Sequence, residues 1–280
     1  MIQANYHTHC TFDDGHNTME EVVLQAIALG FDALGFSCHT PGTLQDQWHM
    51  AIEQFPAYLK EIETLKSRYG NQIQLYAGLE MEYLDDTQEF VGSTLTEKLD
   101  YTIGAVHVMK HHASGRYLSV DGPIEDFETL LADNFNNDAK AFISYYFELQ
   151  IQMIRSCSFD ILAHCDLPKK RNHNNRYFDP SEKWYQKAAR RMLEEAAAHN
   201  QRLELNTGAI ARGILQEPYP SPSMLQWCSE LNIPLVLNSD AHKKEHLNYY
   251  FTEAKELLKA CNYHHLDVLY NNQWSSQPIG

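Results

Sequence analysis

Few marks of a secreted, membrane-bound or nucleotide-binding protein occur in this 280-residue sequence. There is no C-x-x-C pair. The six cysteines (Cys10, Cys38, Cys157, Cys165, Cys228 and Cys261) are scattered, unlike the dense spacing of a small disulfide scaffold, so a reducing, cytoplasmic setting is expected. No apolar run reaches the ~18 residues of a membrane-spanning helix. The opening MIQANYHTH lacks a basic stretch followed by an apolar one, so neither a signal peptide nor a membrane partner is expected. No G-x-G-x-x-G follows the first apolar run and no G-x-x-x-x-G-K-[ST] occurs, which weighs against nucleotide-binding α/β folds. Basic residues are scarce, 22 Lys and Arg against 37 Asp and Glu, for a net charge of −15. Such a chain repels a phosphate backbone, and no nucleic-acid partner is expected. Linkers and repeats are lacking too, so residues 1–280 are expected to form a single domain.

What is present is a core and an excess of histidine: 44% hydrophobic residues and 15 histidines. Seven short apolar runs read as buried strands: 2–7, 33–37, 73–80, 101–107, 159–164, 202–206 and 233–240. Longer stretches with helical period lie between them, at 18–30, 48–70, 139–156, 181–200 and 223–232; Thr18 and Glu21 have capping-box spacing, and Pro56 is expected to kink or split its helix. Strands alternating with helices predict a parallel sheet, most simply a TIM-like α/β barrel, with an open doubly wound sheet as the alternative. Residues 108–122 and 166–180 read as long loops after strands.

The strands end alike. The first delivers His7 and His9, the second His39, the third Glu80, the fourth His107, the fifth His164 and the seventh Asp240 and His242. Only the sixth lacks a ligand-type side chain at its end, and finishes in NTG. A barrel collects these ends on one face. Residues i and i+2 of a strand share a side, so His7 with His9, and Asp240 with His242, can chelate together while Thr8 and Ala241 turn away. The same alternation turns Cys10, Cys38 and Cys165 into packing positions. A lone H-x-H or a lone strand-end histidine is more often a solvated or core residue; six strands ending this way point to a multinuclear metal site. Its nitrogen and oxygen donors suit Zn, Fe or Mn.

As a set, HTH (7–9), SCHTP (37–41), GLEMEY (78–83), IGAVH (103–107), LAHCDLPKK (162–170) and NSDAH (238–242) resemble the successive motifs of the polymerase-and-histidinol-phosphatase (PHP) superfamily. The stretch RLELNTGAIARGILQEPYPSP (202–222) is similar to its monofunctional histidinol-phosphate phosphatase branch. The resemblance implies a distorted (β/α)7 barrel holding three divalent ions. Carried over by motif, His7, His9, Glu80 and Asp240 would hold the first; Glu80, His107 and His164 the second, with Glu80 bridging; His39, His242 and a residue of CTFDDGH the third. Asp14 fits that last place, His16 is the alternative, and Asp13 reads as a solvated loop acid.

The resemblance implies hydrolysis of L-histidinol phosphate. Two ions sharing Glu80 would lower the pKa of a bridging water towards ~7 and make it the nucleophile; Asp240 or a metal-bound water would protonate the leaving alkoxide. Arg212 follows the sixth strand, and Lys169 and Lys170 follow the fifth, so all three are placed to clamp phosphate, the arginine fork best of all. Asp166, Glu82 and Asp121 are candidates for the substrate ammonium and Tyr117 for its ring. A PHP-type nucleotide or oligonucleotide phosphoesterase, a non-catalytic metal-binding module and a metal-dependent amide hydrolase are the competing readings.

Overall fold

The computed structural model describes residues 2–42, 44 and 48–280. Seven parallel strands run side by side in chain order: β1 (Ala4–Asn5), β2 (Ala33–Phe36), β3 (Gln74–Leu84), β4 (Tyr101–Ala105), β5 (Ile161–Leu162), β6 (Arg202–Asn206) and β7 (Leu235–Asn238). Beyond the last rungs of β1 and β7 the sheet nearly closes on itself: His9 N donates to the Ala241 carbonyl (3.0 Å) and Ala241 N to that of His7 (3.2 Å). The result is a distorted TIM-like barrel, as the alternation of elements predicts, and not the open doubly wound sheet.

Strands buried on both faces need near-continuous apolar runs, and those runs are what the sequence offers. The outer face packs against helices α1 (Met19–Ala28), α2 (Phe55–Tyr69), α3 (Ala139–Ser156), α4 (Lys183–Ala198), α5 (Pro222–Glu230) and α6 (Phe251–Ala260). Thr18 and Glu21 form the expected capping box on α1. Pro56 does not kink a helix; it sits in the first turn of α2, where its missing N–H costs nothing, and residues 48–50 are not helical. Part of the 108–122 segment is a short hairpin, Val108–Lys110 with Tyr117–Ser119, and 166–180 holds two 3-10 turns.

Inside the barrel, the Tyr101 side chain lies across Gly35 and Gly78, where an added Cβ would come within 2.3 Å of its hydroxyl and 2.4 Å of its ring. Its hydroxyl donates to the carbonyls of Tyr6 (2.5 Å) and Phe36 (3.1 Å). Residues 265–278 form an antiparallel hairpin whose Trp274 meets Tyr6 edge-on at 5.5 Å, so the tail packs against the barrel. The N-terminal end of the barrel is thereby filled with aromatic rings, and the polar strand ends gather at the other. Among the described residues no helix is long and apolar enough to cross a membrane.

Candidate metal centre

Glu80 is the hub of the polar end. Alternation along β3 turns Leu79 and Met81 into the outer core and Glu80 inward. One carboxylate oxygen, Oε1, lies 3.1 Å from His107 Nε2 and 3.0 Å from His164 Nε2. The other, Oε2, lies 3.2 Å from His7 Nε2 and 3.0 Å from His39 Nδ1. Asp240 faces the same space with Oδ1, 3.3 Å from His9 Nε2 and 3.4 Å from His242 Nδ1. Asp14 Oδ1 is 3.3 Å from His242 Nε2 and 3.9 Å from both His9 Nδ1 and His39 Nε2.

All nine expected ligand positions therefore converge. Within them, donor atoms lie less than 4.8 Å apart in four overlapping groups: His7, His9 and Asp240; His7, Glu80 and His164; His39, Glu80 and His107; His9, Asp14, His39 and His242. His7 Nε2, His9 Nε2, His39 Nδ1 and Glu80 Oε2 are buried without a hydrogen-bond partner. Orphaned buried donors and acceptors are rare and costly, and four aimed into one space fit a divalent cation. His16, the alternative to Asp14, is exposed and outside these groups.

Three further carboxylates stand behind the histidines. Glu204 Oε2 is 2.8 Å from His7 Nδ1, Asp13 Oδ2 is 2.7 Å from His9 Nδ1, and Glu82 Oε2 is 2.7 Å from His107 Nδ1. Each accepts the Nδ1–H and so leaves the Nε2 lone pair pointing into the site, the arrangement that fixes a metal-ligating imidazole. Two expectations are corrected here. Asp13 is no solvated acid: its side chain is fully buried and also accepts the amides of Cys10 (3.1 Å) and His39 (2.9 Å). Glu82 cannot meet a substrate ammonium, because both its oxygens are spent on His107. Glu204 went unread although β6 alternation places it on the same side as Asn206, whose amide it accepts at 2.7 Å. Glu204→Gln is expected to weaken metal affinity about 10- to 100-fold with little change in fold; isothermal titration with Zn beside circular dichroism would check this.

The charges sharpen the picture. Burial alone would push Glu80 up, but the imidazoles of His7, His107 and His39 hold it well below the usual carboxylate range. Burial opposes a proton on His9, yet Asp13 and Asp240 raise it to about 10. Against the same burial penalty, Glu204 and Glu80 hold His7, and Glu80 and Glu82 hold His107, well above the ordinary value. A field that holds protons on buried imidazoles is one that attracts a cation in their place.

A cavity of about 490 Å³ opens over the centre, bounded also by Trp48, Ser119, Asp121, Lys170 and Arg212. Arg212 Nη2 donates to Asp240 Oδ2 at 3.0 Å and Nη1 to the Asp240 carbonyl at 3.1 Å. Asp240 itself has φ 48°, a left-handed conformation that aspartate tolerates better than most residues. Gly208 of NTG makes room for it, since a Cβ there would meet Asp240 Oδ2 at 2.9 Å. Lys170 faces the cavity, paired with Asp121 at 2.6 Å. Lys169 does not: its ammonium is buried against Asp166 (2.9 Å), Glu217 (3.1 Å) and the Pro218 carbonyl (2.6 Å). Asp166 is buried off the cavity wall, its Oδ2 taken by that pair and by the Ser221 amide, and the Tyr117 hydroxyl binds Asp86 at 2.5 Å. Trp48, edge-on to His39 with centroids 4.7 Å apart, is a wall that no sequence signal marked. Cys10 and Cys38 lie behind the ligands with Sγ atoms 3.3 Å apart, and Cys10, Cys38 and Cys165 all belong to the apolar core.

Comparison with known proteins gives the family and the fold. Residues 5–208 match the PHP domain family. A Deinococcus radiodurans protein named "Probable histidinol-phosphatase" is 30% identical over 250 residues, covering 88% of each chain. The crystal structure of HisK from Listeria monocytogenes superposes with a TM-score of 0.77 at 25% identity, over 89% of this chain and 99% of that one. A Lactococcus lactis histidinol phosphate phosphatase, solved with zinc, L-histidinol and phosphate, shares the fold with a TM-score of 0.72 at 18% identity, over 98% of both chains. The chain belongs to the PHP domain family.

Proposed function

We propose that this protein hydrolyses L-histidinol phosphate to L-histidinol and phosphate, a step of histidine biosynthesis, and that residues 1–280 form one metal-dependent phosphoesterase domain. The observation that carries this reading is the convergence of nine ligand-type side chains beneath an open cavity with Arg212 at its edge, in a chain similar along most of its length to histidinol-phosphatases. His7, His9, Glu80 and Asp240, then Glu80, His107 and His164, then Asp14, His39 and His242 are read as the holders of three ions, Zn, Fe or Mn. The zinc in the L. lactis relative favours Zn. Bound there, such ions would activate water and neutralise phosphoryl charge.

The chain's own groups do the rest. Glu80 offers its two oxygens to opposite halves of the centre and so fixes their spacing. Asp240 is pressed upward by burial but held well below the carboxylate range by Arg212 and His7. An ionised carboxylate is no ready proton donor. Held that low it is an equally weak base, so its part is to anchor Arg212 and, with His7 and His9, to hold a cation, and water would protonate the leaving alkoxide. Arg212 and Lys170, both on the cavity wall, hold the phosphate oxygens; Lys169 drops out of that role. The six unpaired cysteines fit a reducing cytoplasm.

Phosphate release from histidinol phosphate, nucleotides and oligonucleotides by the zinc-loaded protein tests the assignment. A kcat/KM for histidinol phosphate far above the others is expected, and highest activity on nucleotides would replace it with the nucleotide phosphoesterase reading. Arg212→Ala is expected to lower kcat/KM about 10²- to 10³-fold with bound zinc retained, and Arg212→Lys to recover only part, because an ammonium cannot reproduce the fork. Unchanged kinetics in Arg212→Ala would remove its role.

A further inference from the structure

The metal-ligand groups are not equally sheltered. The side chains of His7, His9, Glu80 and His164 are 0 to 4% exposed, whereas Asp14 is 35% and His242 20% exposed. Those two are the members that only the outermost group uses; His9 and His39 also serve the groups around Asp240 and Glu80. A second cavity, of about 430 Å³, reaches Asp14 and His242 between His16, Arg212, Lys243 and His246. Since Asp14, His242 and Arg212 border the inner cavity as well, these three form the partition between the two.

Their support differs in kind too. His7, His9 and His107 are each backed by a carboxylate at 2.7 to 2.8 Å. His242 Nδ1 instead faces the Asp240 carbonyl and Arg212 Nη1, both at 3.1 Å, with the nearest carboxylate oxygen, Asp240 Oδ1, further off at 3.4 Å. A guanidinium there opposes a cation on the same ring, where a carboxylate would favour one.

We infer that an ion held by Asp14, His39 and His242 exchanges with the medium ahead of those around Glu80, leaving through the outer cavity. The protein would then pass between a full and a partly loaded centre as free metal varies. The inference rests on the metal-dependent reading above but not on its substrate. The test is metal counting. Zinc-loaded protein is placed in excess EDTA, desalted at intervals, and its zinc per chain measured by plasma mass spectrometry. One equivalent should leave at least ~10-fold faster than the remaining two, the lower end of what such backing contributes. Asp14→Asn, judged folded by its melting curve, should saturate at one equivalent fewer than the parent. Loss of all zinc in a single phase would overturn the inference, as would an Asp14→Asn protein that keeps the parent's full count or loses more than one equivalent. Two-phase loss in a protein inactive on histidinol phosphate would leave this inference standing and remove the proposed reaction.

Discussion

Replacing Glu80 with glutamine is expected to lower kcat/KM for histidinol phosphate by at least about 10³-fold, roughly 4 kcal/mol of transition-state stabilisation. The substitution keeps size and shape, so what it changes is chemistry. A carboxylate has two equivalent acceptor faces, and Glu80 uses both: Oε1 towards His107 and His164, Oε2 towards His7 and His39. An amide keeps one acceptor and turns a donor towards the other pair of imidazoles, so one half of the centre loses its ligand. The four surrounding histidines also lose the anion that offsets cations among them. Bound zinc should fall together with turnover, while circular dichroism stays near that of the parent. Full zinc content with kinetics within tenfold of the parent would show that Glu80 is not the hub of a working centre.

Eight of the nine ligand positions were legible because each is a histidine or carboxylate at a strand end, and strand ends of a parallel barrel share a face; Asp14, in the loop after the first strand, came only from the family resemblance. The residues that aim those ligands were harder to read. Glu82 and Glu204 sit inside strands, two residues from Glu80 and Asn206, where alternation marks them as inward but does not say what they meet. Asp13 looks like loop solvent exposure until the loop folds back: Gly15 passes so close to Cys10 that a Cβ would lie 2.3 Å from its amide nitrogen, and that close passage buries Asp13 against His9. Lys169 and Lys170 are adjacent and chemically identical, yet a 3-10 turn over Leu167–Arg171 sends one into Asp166 and the other to the cavity. Sequence spacing carries no information about such a turn. The fold followed the same rule. Helices of strong period appeared where expected, while residues 124–134, helical in the structure, lay in a stretch assigned to no element.

Chelation should abolish turnover and make thermal stability fall as pH rises above about 6.5, a dependence that the loaded protein lacks. In chelator, His7 and His107 titrate well above their ordinary value and His9 at about 10. A histidine raised on folding contributes fully below its unfolded pKa of ~6.5. That contribution disappears as pH climbs through the folded value. The stripped protein should thus lose stability from about pH 6.5 towards 10. Its depressed carboxylates, Glu80, Asp240 and Glu204, contribute above their unfolded values near 4 and fail only on acidification. With zinc present, a cation must displace the imidazole protons, so binding releases protons and tightens as pH rises. Metal at about 1,000 times its Kd adds roughly 4 kcal/mol, on the order of 10 °C in Tm for a chain of this size. Calorimetry with EDTA and with zinc, at steps between about pH 6.5 and 9, should therefore show a Tm gap that widens with pH. A gap that stays constant or narrows would mean that these imidazoles are not where the metal and the protons compete.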